Sequence, residues 1–165
     1  MVNKINIETI EKEIYMAYPD ICWEKETAIN CIRLTYQNVG NKRFPLIVHI
    51  HDSEGFFVNL CEYGIVIDRS TDINEVLTAI DDVLRDKIAV AVSYSSEKRF
   101  DSQTHFSMSR TFMLKNAEDE AEFNKFIETI SAPRTLIDRL TPATFHGIIE
   151  VSDWSRGRYY KIYRK

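Results

Sequence analysis

The chain has 165 residues, enough for one domain that buries a real core without disulfide staples. Its composition, 44% hydrophobic and 28% charged, excludes wholesale disorder, and a net charge of −4 makes the chain as a whole a poor match to a polyanion. Five glycines and four prolines are too few for a long linker, so residues 1–165 read as a single α+β domain, with 133–165 as its C-terminal extension.

Asn6 is placed to cap a first helix, in which Ile7, Ile10, Ile14 and Tyr18 recur at helical spacing before Pro19 stops it. From Thr27 to Asn38 the pattern alternates, Ala28, Ile32, Leu34 and Tyr36 against Arg33, Thr35 and Gln37, which predicts a strand. Asn38-Val-Gly-Asn41 turns it into a hairpin whose loop, Ser53-Glu54-Gly55, carries glycine at the position that favours a left-handed backbone. That loop predicts Asp52 opposite Phe56. It places Leu46, Val48 and Ile50 on one face with Phe56, Val58 and Leu60. His49, His51, Phe57, Asn59 and Cys61 fall on the other. Ile65 to Ile67 extends the strand or adds a short one.

Asp72 and Glu75 have capping-box spacing ahead of the clearest amphipathic stripe, Ile73, Val76, Leu77, Ile80, Val83 and Leu84. Lys87 to Ser95 alternates with Ile88, Val90, Val92 and Tyr94 inward. A polar loop over 95–104 then leads to a strand near 105–114. Asn116 is placed to cap a helix with the stripe Phe123, Phe126, Ile127 and Ile130, and Pro133 opens a short helix through Leu140. The chain ends in a hairpin, Phe145–Ser152 with Arg158–Tyr163. The expected order is α-β-β-β-α-β-β-α-α-β-β, an antiparallel β-sheet with helices packed on one face. Its first eight elements are similar in order to the type III secretion chaperone and YbjN-like folds, a likeness of order alone and weak evidence about activity.

Three cysteines, Cys22, Cys31 and Cys61, form no C-x-x-C pair and are odd in number, as expected of free, mostly buried thiols in a reducing compartment. The first ten residues lack a signal-peptide apolar run and no stretch approaches a membrane span, so a cytoplasmic protein is expected. P-loop, G-x-G-x-x-G, H-E-x-x-H and G-x-S-x-G patterns are all lacking. His49 and His51, two apart on a strand, point the same way, with Cys61 or Asn59 diagonal to them. Zinc needs three or four converging donors, so surface histidines are the plainer expectation and no cofactor is assigned; a metal-dependent or hydrolytic enzyme using His49 and His51 is the lesser alternative. Arg110 falls in register with Phe106, Met108, Phe112 and Leu114. It must therefore shift on a bulge, snorkel from a sheet edge, or bind an anion.

Residues 133–165 carry seven Lys/Arg against three acids, whereas the rest carries 14 basic and 22 acidic side chains. This basic end also interleaves aromatics, the mixture that holds single-stranded nucleic acid. Lys and Arg on a strand also block edge-to-edge aggregation. The sequence favours a protein-binding module, such as an immunity protein, an anti-defence inhibitor or a secretion-type chaperone. Partner contacts are expected from Lys98, Arg99 and Phe100 in one loop and Trp154, Arg156, Arg158 and Tyr159 in the C-terminal turn. Phe100 and Trp154 are the expected anchors, a reading that requires both rings to be exposed.

Overall fold

The computed structural model describes residues 6–38, 40–62, 64–103, 106–114, 120–131, 147–155 and 157–164. Helix α1 (Ile7–Ala17) precedes a five-strand meander of β1 (Glu24–Ala28), β2 (Cys31–Asn38), β3 (Asn41–His51), β4 (Gly55–Leu60) and β5 (Gly64–Ser70). Then come α2 (Ile73–Leu84), β6 (Ile88–Tyr94), α3 (Glu97–Ser102), β7 (Phe106–Met113), α4 (Glu120–Ser131), β8 (Gly147–Asp153) and β9 (Tyr159–Arg164). The α+β class and antiparallel pairing are as expected. The strands divide into two sheets, ordered β1-β2-β3-β4-β5 and β7-β6-β8-β9. The expected Asn116 cap and 133–140 helix lie outside the described residues.

Capping follows the sequence with one change of partner. Asn6 accepts from the Thr9 amide at 3.3 Å and Asp72 from the Asn74 amide at 2.9 Å. Glu75 does not close the capping box. It accepts from the Ser70 hydroxyl, and that same oxygen takes the Asp72 amide at 3.0 Å. Ser70, the last residue of β5, thus fixes the strand-to-helix turn.

Register explains where the polar face lies. The expected strand from Thr27 is a tight hairpin, since Ala28 pairs with Cys31 and Ile29-Asn30 forms the turn. Between β3 and β4 the loop is Asp52-Ser53-Glu54, so His51 rather than Asp52 ends the ladder, opposite Gly55. This slip of two keeps every side chain on its expected face. Gly55 has φ +106°, and a Cβ there would stand 2.2 Å from the Ser70 carbonyl oxygen. Gly55→Ala is expected to cost about 2 kcal/mol or more, read as a lowered denaturation midpoint.

The main core joins both sheets. Leu34, Leu46, Val48, Ile50, Phe56, Val58 and Leu60 pack with Ile14 of α1 and with Val76, Ile80 and Val83 of α2. Ile88, Val90, Val92 and Tyr94 of β6 complete it. A second cluster on the opposite face of β6 joins Ala89, Ala91, Ile149 and Val151 to Phe123, Phe126 and Ile130 of α4. β6 lies between the two clusters, so all seven of its residues are buried. No helix among the described residues is long and apolar enough to cross a membrane.

Candidate functional site

The surface nominated by the sequence is rebuilt by α3. Ser96 caps this helix by accepting from the Arg99 amide at 3.4 Å, and Gln103 ends it in a left-handed conformation. What reads as a polar loop therefore has an inner side. It lays Phe100, 7% exposed, edge-to-face on Tyr94 with ring centroids 5.6 Å apart. Arg43 and Lys161 stand 4.3 and 4.0 Å from the centre of the Phe100 ring. Trp154 is 4% exposed and packs on Tyr36 at 5.3 Å, which in turn meets Trp23 at 5.9 Å. Both expected anchors are core side chains, because each element that carries them folds back over a sheet. Neither the Phe100 nor the Trp154 ring is open to a partner, contrary to the expectation of exposed anchors.

Arg158 is likewise structural. Its Nε donates to Asp153 Oδ2 at 2.8 Å, its Nη2 to the Asp86 carbonyl at 2.9 Å, and its guanidinium lies 4.5 Å from the Phe123 ring centre. Burial raises the Asp153 pKa while the Arg158 hydrogen bond opposes it. Lys161 sits 4.0 Å from Glu97, and its pKa is raised, chiefly by its contact with the Tyr163 hydroxyl. Two cations of the basic end are thus engaged within the chain, which weakens the case for a phosphate-tracking surface. Tyr159 is half-buried, and Arg156 lies outside the described residues. Lys98 and Arg99 are exposed on α3. Beside them Tyr163, 64% exposed, donates its hydroxyl to Glu97 at 3.1 Å, which couples β9 to α3.

Arg110 lies on β7, an edge strand, opposite Ala91 and on the same face as Phe112. The ladder's one register shift, between Ser93 and Tyr94, lies beyond Arg110 and leaves it in register with Phe112, so of the expected alternatives the sheet edge is the one that applies. The side chain is exposed, in a hollow lined also by Phe112, Glu122, Lys125 and Phe126. Its charged lining is two cations, Arg110 and Lys125, and one acid, Glu122.

On the polar face of the first sheet, the histidines meet a donor that the sequence did not pair with them. Cys31 stands directly across from His51, with Sγ 3.5 Å from His51 Nε2. His49 and His51 stack at 6.4 Å, and His51 meets the edge of Phe57 at 5.3 Å. One donor atom from each of Cys31, His49 and His51 lies within 4.8 Å of the other two. Cys61, buried at φ 60° beyond the end of β4, is not one of the three. Asn59 pairs with Ile47, which leaves it diagonal to His49 as expected. Burial lowers the His49 pKa, and the Arg33 charge across the ladder adds to that. The Cys31 thiol is raised by burial, with the Glu54 charge adding and an Ile50 backbone hydrogen bond opposing. Arg33 itself is ion-paired with Glu62 and donates to Thr35 Oγ1 at 3.3 Å.

These features define an α+β protein of two antiparallel sheets, with an exposed tyrosine of β9 beside the charged helix α3 and a thiol-imidazole cluster on β2 and β3. Comparison with protein-family models, with curated proteins and with solved structures gives no match.

Proposed function

We propose that this chain acts by binding another protein, through the face where α3 lies beside β9. The observation that carries this reading is Tyr163, 64% exposed and held by Glu97 next to the exposed Lys98 and Arg99. Tyrosine and arginine are the side chains most enriched among residues that dominate binding energy, and a ring already fixed by a hydrogen bond loses little entropy on docking. α3 exposes Lys98 and Arg99 together with Glu97 and Asp101, so a partner of complementary mixed charge is favoured, which speeds encounter and fixes orientation. An immunity protein, an anti-defence inhibitor or a secretion-type chaperone would each use such a surface. Three free thiols, Cys22, Cys31 and Cys61, fit work in a reducing compartment.

The test is capture from native extract followed by titration of the purified partner. Tyr163→Ala is expected to weaken binding by ~2 kcal/mol, about 30-fold, and Arg99→Ala by a smaller factor, both with unchanged melting temperature. Affinity untouched by the Tyr163→Ala, Arg99→Ala double variant places the contact elsewhere and refutes this assignment.

A further inference from the structure

We propose that Cys31, His49 and His51 form a binding site for a single divalent ion of the zinc class, with one coordination position left to water. Among the described residues this is the one convergent group of three such donors. One thiolate and two imidazoles suit zinc: carboxylate-poor sites disfavour magnesium and calcium, and nitrogen with sulfur matches a borderline ion.

The spacing fits a coordination sphere. Zinc–sulfur and zinc–nitrogen bonds at a tetrahedral angle set sulfur and nitrogen about 3.6 Å apart. Cys31 Sγ and His51 Nε2 are already 3.5 Å apart. His49 offers its nitrogen within 4.8 Å of both, so a small side-chain rotation closes the third edge.

The backbone holds these donors in place. Cys31 and His51 are paired residues of β2 and β3, and His49 is two places along the same strand face. Neither strand is at a sheet edge. All three side chains are half-buried, which leaves solvent access on one side for the water. Arg33, across the ladder from His49, opposes a cation, and acids offset it: Glu62 ion-pairs with Arg33, Glu26 stands opposite Arg33 on β1, and Glu54 lies in the loop after His51. Binding replaces the thiol proton with the metal, and that proton passes to buffer.

The experiment uses the full chain, without an affinity tag and stripped of metal. Co(II) serves as an optical probe, with Zn(II) competing against a chromogenic chelator. The expected result is one equivalent of Co(II) with a sulfur-to-cobalt charge-transfer band, displaced by Zn(II). Cys31→Ser should abolish the band, and His51→Gln should weaken binding at least tenfold, whereas Cys22→Ser should leave both unchanged. Should Cys31→Ser not fold, alkylation of the wild-type chain decides: Zn(II) should protect Cys31 and leave exposed Cys22 reactive. No band, a band that survives in a folded Cys31→Ser variant, or Cys31 alkylation indifferent to Zn(II) would overturn the assignment.

Discussion

Arg43→Met is expected to lower stability by about 3–5 kcal/mol, because it strands a carboxylate with no route to water. Glu150 is fully buried on the inner face of β8, and Arg43 Nε, reaching from β3, stands 2.7 Å from its Oε1. The N–H is not aimed at that oxygen, and neither Glu150 oxygen has a hydrogen-bond partner among the described residues. Compensation for the buried charge is therefore mainly Coulombic; its ion pair is with the Arg43 guanidinium, and Lys161 stands opposite Glu150 in the β8–β9 ladder. The guanidinium also donates to the Phe100 carbonyl at 2.8 Å, so it ties both sheets to α3. The pair is asymmetric: the Arg43 side chain is 20% exposed and Glu150 is not exposed at all. Glu150→Gln should thus cost less than Arg43→Met, since a lone arginine can turn toward solvent. Replacing both with apolar side chains of similar volume should recover most of the loss. Urea denaturation of the three variants measures this. Equal, small effects for both single changes would mean that the pair contributes nothing.

Trp154→Ala is expected to cost about 3–5 kcal/mol, the range for deleting a large buried aromatic. Trp154 closes the β8–β9 connection over Tyr36 of the first sheet, and its carbonyl accepts from Asn38 Nδ2 at 3.5 Å. Next to it the Ser155 amide donates to Asp86 Oδ1 at 2.8 Å, so the turn is fastened to the segment after α2. Truncation opens a cavity between sheets, and the backbone contacts on either side keep it from collapsing. The denaturation midpoint should fall sharply. An unchanged midpoint combined with loss of a partner would restore the anchor role that burial removes.

Periodicity made the frame legible. The stripes Val76-Ile80-Val83 and Phe123-Phe126-Ile130 are buried as their helical spacing requires, and the two faces of β3 and β4 segregate as alternation requires. Long-range partners were not legible. The β2–β3 turn pairs Asn38 with Asn41, which by itself sets Cys31 opposite Val48. Three extra residues in β3, between Asn41 and Leu46, shift the ladder and bring Cys31 onto His51. Pro45, which cannot donate to a central ladder, marks the place of that irregularity but not its size. Phe100 was misplaced because Ser96-Glu97 opens a helix too short to show a period. Glu150 did carry a signal, a charge flanked by Ile148, Ile149 and Val151. Its partner, Arg43, sits far along the chain on the other sheet.

Site-specific photo-crosslinking tests the central claim, that the α3–β9 face is where a partner docks. A photoreactive residue placed at Tyr163 should yield one dominant adduct with the partner, suppressed by unlabelled protein. The same group at Ile29, 98% exposed on the β1–β2 turn, should yield none. Strong adducts from position 29 with none from position 163 would contradict the account.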